Sequence, residues 1–378
     1  MPNVKITKLI LQNFRNFTLK KIALDEAPLV FLCGENGVGK TNILEAITLF
    51  GRSQPLRGAD FEEMIFSDFQ NHQKADQFTL YCDLDGDDSI EKIGVSFDKT
   101  AKKKVFHING EPLSGKRLSD YQNDLINFIW LTPQLELLLI SGKSERRDYL
   151  DKIVCDIDAE HSKRVNLYQK SLKERLLILQ KYRGQGGGDR WLEIVENKIV
   201  ELGVAIAFAR IDAIGFFNKA INSFESNFPK AQLQINGQIE EMAGEKSALQ
   251  IEEFYLDKLR QNREQDRENF KTEFGVHRSD FTALFLNKNA PSANSSTGEQ
   301  KSIMLGITLA RAKISATYKN QPTILIFDEI MSHLDDNKKN NLLKEIMQLG
   351  LQCFFSATSL SLLPQGFERG RVLQVVEV

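Results

Sequence analysis

The sequence predicts an α/β fold with a parallel sheet and a mainly helical domain inserted into it. Three observations support this prediction. A glycine-rich turn at residues 34–41 joins an apolar strand-like run to a helical pattern. A second apolar run, residues 323–327, ends in two carboxylates. Between these two regions, after about residue 131, the spacing of apolar residues changes from that of strands to that of helices.

Composition places the chain among ordinary globular proteins. With 378 residues, 42% hydrophobic and 26% charged, it has enough sequence for two or three domains. A net charge of −2 gives no sign of a globally basic nucleic-acid binder, so any contact with nucleic acid would need a local patch or an assembled surface.

The four cysteines form no C-x-x-C pair, and the five histidines do not have the spacing of metal ligands. No apolar run approaches the ~20 residues of a membrane helix, and no signal peptide is evident. We therefore expect a cytoplasmic protein that does not contact a membrane.

The first third of the chain reads as β-rich. Strand-like segments precede the glycine-rich turn, and more follow before the turn Asn109-Gly110, as in a meander beside the turn. The predicted strands are residues 4–11, 17–24, 29–32, 78–82, 93–97 and 104–108.

The turn itself has the G-x-x-x-x-G-K-[ST] spacing of a phosphate-binding loop. It consists of Gly34, Glu35, Asn36, Gly37, Val38, Gly39, Lys40 and Thr41. Glycines let backbone N–H groups close around phosphate oxygens, and the following helix directs its positive end at the same anion. Lys40 would neutralise the β and γ phosphates of ATP as a catalytic residue, and the Thr41 hydroxyl would bind Mg²⁺. The alternative is an ordinary glycine-rich turn with a solvated lysine. Such a turn would not need to match every position of the motif, nor to lie between a strand and a helix.

The middle of the chain predicts helices at residues 145–157, 159–183 and 190–227, with a glycine-rich break at 184–189. In the last helix apolar residues alternate spacings of three and four over four heptads, and such a seam needs a partner. The preceding helix is the expected antiparallel mate. It has only about 25 residues, or ~37 Å, which is short for a coiled-coil arm. An ordinary four-helix subdomain without a separate arm remains the alternative.

The α/β pattern then returns. We predict a strand at 231–236, a charged helix at 248–270, and a final series of strands and helices at 281–286, 299–318, 323–327, 336–349 and 352–355. The nucleotide domain is therefore discontinuous. It comprises residues 1–115 and 271–378, and residues 116–270 form a helical arm with its hairpin tip near 184–189.

Two carboxylates follow the run 323–327. Because ligands gather at the carboxyl ends of parallel strands, this pair should lie beside the phosphate loop. Adjacent residues on a strand point in opposite directions, which suits two tasks. Asp328 would hold Mg²⁺ through water, and Glu329 would act as general base on the attacking water.

A serine-rich loop precedes the helix at 299–318. Ser296 and the backbone N–H groups after it, including that of Gly298, would form a second anion site. Taken alone, this loop could equally be a plain helix cap. Because the chain's own phosphate loop cannot also occupy this site, two copies placed head to tail would each lend the loop to the other's ATP.

The combination of motifs resembles ABC-type ATPases, and within them the RecF family over essentially the full length. The phosphate loop, Ser296-Thr297-Gly298-Glu299-Gln300, residues 324–329 and Ser332-His333-Leu334-Asp335 resemble the Walker A, signature, Walker B and D-loop motifs. Gln134 matches the Q-loop position. Residues 13–17, 145–151 and 275–280 carry the narrower resemblance. The chain departs from the pattern at Glu299, where Gln is usual, at Val276, where Pro is commoner, and near 355–358, where transporter ATPases have a histidine.

The resemblance implies an ABC-type P-loop ATPase head, with a mixed sheet and helices, joined to a mainly helical arm. It implies an ATP- and Mg²⁺-dependent homodimer that binds double-stranded DNA or single-/double-strand junctions without sequence preference. A weak ATPase activity would serve as a switch in recombinational repair and replication restart, with RecR- and RecO-type mediators as partners. The alternative is an ABC-type ATPase subunit of another cytosolic DNA-maintenance or transport complex. An SMC-like structural ATPase is disfavoured by the short hairpin, and a P-loop kinase would not need the serine loop.

Overall fold

The structure is a computed structural model that describes residues 4–51, 55–68, 73–86, 90–115, 117–118, 121, 126–182, 189–319, 321–363, 367 and 370–378. The chain divides into two compact units, one formed by residues 1–136 and 308–378 and the other by residues 137–307. The first unit is therefore discontinuous in sequence. The predicted glycine break lies, apart from Asp189, outside the described residues.

The elements of the first unit follow the predicted order closely. Among the described residues, the helices with both ends defined are α1 Lys40–Thr48, α2 Pro133–Glu136 and α10 Asp336–Leu349. Its strands are β1 Lys5–Phe14, β2 Phe17–Ala23, β3 Leu29–Cys33, β4 Ser67–Asp68, β5 Gln73–Lys74, β6 Gln77–Asp85, β7 Ile90–Asp98, β8 Lys103–Ile108, β9 Glu111–Leu113, β10 Asn127–Leu131, β14 Thr323–Phe327, β15 Gln352–Ala357 and β16 Leu373–Glu377. Helix α9, Thr297–Tyr318, contains the boundary between the two units.

A five-stranded parallel sheet forms the centre of this unit, in the order β10-β14-β15-β3-β16. Every residue of β3, β14 and β15 is buried, as expected for the continuous apolar runs of a covered parallel sheet. Strand β10 pairs with β14, although the sequence prediction assigned residues 127–131 to the arm. The structural unit therefore extends to Glu136, beyond the predicted domain boundary.

A six-stranded antiparallel sheet, β2-β1-β6-β7-β8-β9, accounts for the predicted meander. In β6 and β7 buried residues alternate with more exposed ones, because one face of an antiparallel sheet packs on the core. Residues of both sheets and of α1 share one hydrophobic core, which includes Phe14, Leu32, Ile47 and Phe78. Helix α1, which follows the glycine-rich turn, is thereby fixed in the interior.

The second unit is mainly helical. Its helices are α3 Lys143–Cys155, α4 His161–Lys181, α5 Asp189–Ser223, α6 Gln238–Met242, α7 Ala248–Gln261 and α8 Arg263–Asn269, and its strands are β11 Ala231–Asn236, β12 Asp280–Phe285 and β13 Ala290–Pro291. The single charged helix predicted at 248–270 is two helices that meet at Asn262. No helix among the described residues has the length and hydrophobicity needed to span a membrane.

Helices α4 and α5 form the predicted antiparallel hairpin. Arg175 Nε donates to Glu196 Oε1 at 2.9 Å, and earlier in α4 Tyr168 Cε2 lies 3.3 Å from where a Cβ at Gly203, later in α5, would stand, so the two helices run in opposite directions. Helix α7 packs closely against α5 at Gly203. A Cβ added to this glycine would lie only 2.6 Å from Tyr255 Cε1. The heptad seam therefore faces both its hairpin partner and α7.

Candidate functional site

The glycine-rich turn joins β3 to α1 as the sequence predicts. Gly37 and Gly39 have φ angles of 87° and 111°, which residues other than glycine rarely adopt. A Cβ at Gly39 would also lie 2.5 Å from Phe17 Cζ. No side chain caps the start of α1, so the backbone N–H groups of its first turn remain available for an anion.

A neighbouring turn between β1 and β2 supports the loop from outside. Asn16 Nδ2 donates to Val38 O at 2.9 Å, and Asn42 Nδ2 donates to Asn16 Oδ1 at 2.8 Å. Arg15 Nε forms a 2.7 Å ion pair with the fully buried Glu45 of α1. Sequence reasoning gave these side chains no role, although residues 13–17 carried part of the family resemblance.

Lys40 lies at the first position of α1 and is 5% exposed. Its Nζ donates to the carbonyl oxygens of Gly34 and Glu35, both at 2.7 Å. A buried ammonium group next to a glycine-rich turn attracts phosphate strongly, because little water screens its charge. This arrangement fits the phosphate group that the loop spacing implies.

Asp328 follows β14 directly and is 7% exposed. Its Oδ1 accepts hydrogen bonds from Thr41 Oγ1 at 3.1 Å and from Ser356 Oγ at 2.6 Å. A carboxylate beside a hydroxyl is an oxygen donor set that suits Mg²⁺. The structure thus brings Thr41 and Asp328 together as predicted, and it adds Ser356, which the sequence analysis did not select.

Glu329 requires a correction. The prediction placed both carboxylates on a strand with alternating directions, but β14 ends at Phe327. Glu329 has a left-handed φ of 57° and is exposed. Its N–H donates to Ser356 Oγ at 2.7 Å. Asp328 is buried and Glu329 exposed on a turn after the strand, and unfavourable backbone conformations such as that of Glu329 cluster at functional sites.

Gln134 is exposed on α2, three residues after the end of β10. Strand β10 runs parallel to β14, and the Asp328 N–H donates to Leu131 O at 3.0 Å. Gln134 thus follows the carboxyl end of the strand next to Asp328, the edge at which ligands of α/β sheets gather.

Ser296 and Gly298 belong to the second unit, at the start of α9. Both are exposed, and a Cβ at Gly298 would meet nothing within 4 Å. Ser296 forms a capping box with Glu299. The buried Gln300 fixes the loop behind it by donating to Ala293 O and Ser295 O. The helix cap is therefore real, and the role of this loop as an anion site stays a prediction.

Three basic residues that could otherwise have offered a DNA contact, Arg146, Arg147 and Lys104, contact other groups within the chain. Arg146 forms two 2.8 Å hydrogen bonds to the carboxylate of Asp280, and Arg147 NH1 donates to Ser279 O at 3.0 Å. These contacts join the two family-like segments 145–151 and 275–280. Lys104 Nζ lies 5.0 Å from the centre of the Phe61 ring, and burial lowers its pKa to about 8.

Comparison with known proteins identifies the family and the fold. Residues 5–373 match the family model "RecF/RecN/SMC N terminal domain". The DNA replication and repair proteins RecF of Rickettsia canadensis and Rickettsia felis are each 33% identical over 362 residues, covering 95% of this chain and 96% and 95% of theirs. Solved structures of the recombination mediator protein RecF in the RecFOR pathway, named RecF-ATPrS and RecF-ATP, superpose with TM-scores of 0.80 and 0.79 at 26% identity. They cover 96% and 95% of this chain and 94% and 93% of theirs. The predicted ABC-type ATPase fold is thereby confirmed.

Proposed function

This chain belongs to the RecF family of DNA replication and repair proteins, and we propose that it acts as an ATP-gated dimeric DNA clamp in recombinational repair and replication restart. The observation that carries the proposal is the meeting of Lys40, Thr41 and Asp328 at one edge of the parallel sheet. Solved RecF relatives named for their ATP and ATPrS forms support ATP as the nucleotide.

In this proposal each side chain of the first unit has one task. The N–H groups of residues 34–41 bind phosphate oxygens, and Lys40 exchanges its two carbonyl contacts for the β and γ phosphates. Thr41 and Asp328 would hold Mg²⁺, which supplies charge neutralisation when bound. Glu329 accepts the proton of the attacking water. Gln134, at the same sheet edge, would contact the nucleotide.

The second unit completes the pocket of another copy. Ser296 and Gly298 are exposed at the start of a 22-residue helix, and we propose that they bind the γ-phosphate held by a partner. ATP then favours the dimer over the monomer, because only the dimer provides both sets of ligands. Slow hydrolysis through Glu329 removes this preference and opens the dimer, so ATPase activity serves as a switch.

DNA would bind through sequence-independent phosphate contacts on a surface assembled by dimer closure, since the net charge of −2 gives no general attraction. RecR- and RecO-type mediators are the proposed protein partners, supported by relatives of the RecFOR pathway. We also propose that residues 1–115 and 271–378, together with β10 and α2, work as the ATPase head, and that the rest of residues 116–270 works as an arm.

Sedimentation velocity tests this function. We expect the wild-type protein to dimerise and to bind duplex DNA only with ATP. The Lys40→Ala variant should do neither, because it lacks the ammonium group that binds the phosphates of ATP. Lys21→Ala, which removes an exposed lysine of the same unit, should behave as wild type. Equal DNA binding with and without nucleotide would contradict the clamp.

A further inference from the structure

The start of α9 carries a negative charge where the proposed function needs an anion to bind. Ser296 donates twice to Glu299 Oε2, from its N–H at 3.0 Å and from its Oγ at 3.1 Å. The Glu299 N–H donates back to Ser296 Oγ at 3.4 Å. Glu299 therefore occupies the hydrogen-bond donors of Ser296 that a phosphate would use.

A second capping box in the same unit shows that this cap does not require a charge. At the start of α7, Ser247 donates to Gln250 Oε1 from its N–H at 3.0 Å and from its Oγ at 3.1 Å. The Gln250 N–H donates to Ser247 Oγ at 3.4 Å. These three distances equal those at Ser296, so a neutral glutamine forms the same cap. The charge of Glu299 then calls for a different explanation.

Lys288 supplies part of that explanation. Its Nζ lies 2.5 Å from Glu299 Oε1, the carboxylate oxygen that does not bind Ser296. The Lys288 ion pair and the Ser296 hydrogen bonds lower the pKa of Glu299 from its ordinary value, so the carboxylate is charged at neutral pH. One carboxylate thus joins the serine donors to a cation that is 56% exposed.

We propose that Glu299 and Lys288 form a latch on the signature loop: Glu299 is an internal ligand that the γ-phosphate of a second copy must displace from Ser296. This inference rests on the proposed trans binding of nucleotide and assigns a regulation to that same site. Lys288 holds the displaced carboxylate beside the loop and offsets its charge. The latch raises the concentration of ATP-bound protein that is needed for dimer formation.

Simple electrostatics sets the size of the effect. Two like charges a few ångströms apart near a protein surface repel by an amount that changes an equilibrium constant by about tenfold or more. Lys288 cancels part of this repulsion. We therefore expect removal of the Glu299 charge, with the cap retained, to tighten ATP-dependent dimerisation by about tenfold at low salt.

The variant Glu299→Gln makes that change. Analytical ultracentrifugation with ATP should give a dimer Kd about tenfold lower than wild type at low ionic strength. The difference should shrink at about 0.5 M salt, because exposed charges are screened. The melting temperature should stay close to wild type, since glutamine forms the same cap at Ser247. A merely structural role for Glu299 would alter melting and would not give this salt dependence.

Gln250→Glu is the matched control. It places the same charge on the same kind of cap, away from the signature loop, and it should leave the dimer Kd unchanged. An unchanged or raised dimer Kd for Glu299→Gln would overturn the latch, and so would a lower Kd that does not depend on salt. If the wild-type protein still dimerises with ATP in that case, the proposed function stands. A wild-type protein that stays monomeric with ATP would overturn both.

Discussion

Asp328 connects three segments that lie far apart in the sequence. Its Oδ1 accepts from Thr41 of the phosphate loop and from Ser356 at the end of β15. The hydroxyl of Ser356 also accepts the N–H of Glu329 at 2.7 Å. A single serine therefore orients the predicted metal ligand and fixes the backbone of the predicted general base.

Ser356→Ala should lower ATP hydrolysis about tenfold or more and change ATP affinity by only about threefold. The variant removes a buried hydrogen bond to Asp328 and leaves the Glu329 N–H without its acceptor, a loss of about 1–3 kcal/mol. The phosphate loop and Lys40 are untouched. Single-turnover hydrolysis and nucleotide titration would measure the two quantities.

Ser356→Thr keeps the hydroxyl and should retain more activity than the alanine variant. Ser361→Ala, at an exposed serine of the following turn, should hydrolyse ATP as wild type does. Hydrolysis at the wild-type rate by Ser356→Ala would contradict the role given to this hydroxyl.

Sequence reasoning at this scale succeeded where the chemistry is local. The spacing of residues 34–41 fixes Lys40 and Thr41 relative to the loop, and the run 323–327 places Asp328 at the end of a strand. Ser356 could not be found in this way, because its contact with Asp328 depends on β15 lying next to β14 in the sheet. The left-handed backbone of Glu329 likewise has no signal in an apolar pattern.

At the scale of elements, a buried ionic cluster joins the helices of the second unit. Arg175 of α4 is fully buried. It donates to Glu196 of α5 at 2.9 Å, to Asp266 of α8 at 2.6 Å and to Leu259 O of α7 at 2.7 Å. One guanidinium group thus connects four helices with the planar, multiple geometry that arginine provides.

Arg175→Met should lower the free energy of unfolding by about 3–5 kcal/mol. The substitution leaves Glu196 and Asp266 buried with one cation fewer, and breaking a buried pair from one side is strongly destabilising. Urea unfolding followed by circular dichroism at 222 nm would measure the change.

Arg260→Met is the matched control. Arg260 of α7 and Glu193 of α5 are 44% and 53% exposed and 3.7 Å apart, so their loss should cost less than about 1 kcal/mol. Equal destabilisation by the two variants would show that the buried cluster has no special weight.

The heptad seam predicted which helices pair, because apolar spacing reports the buried face of a helix. It did not reveal the buried charges, since Arg175 lies in the segment Lys173-Glu174-Arg175, which reads as solvated. Strand β16 was also missed. It is an edge strand that pairs with β3 on one side only, and its half-buried residues give a weaker apolar signal than β14.

For the whole molecule, the motifs are divided between the two units. Lys40, Thr41, Asp328 and Gln134 belong to the first unit, and Ser296 and Gly298 to the second. Sequence order gave this division only in part, because the predicted boundaries at 115/116 and 270/271 follow composition and do not record which strands pair. The central claim is that one copy's Ser296 serves the nucleotide held by another copy's Lys40.

Mixing two defective variants tests this claim most directly. Lys40→Ala retains the serine loop and Ser296→Ala retains the phosphate loop, so an equimolar mixture can form one intact composite pocket per heterodimer. Each variant carries a different fluorophore. We predict ATP-dependent energy transfer in the mixture, with a dimer Kd higher than that of wild type, and no dimer from either variant alone. A mixture that stays monomeric while the wild type dimerises, or a Ser296→Ala protein that dimerises as the wild type does, would contradict the account.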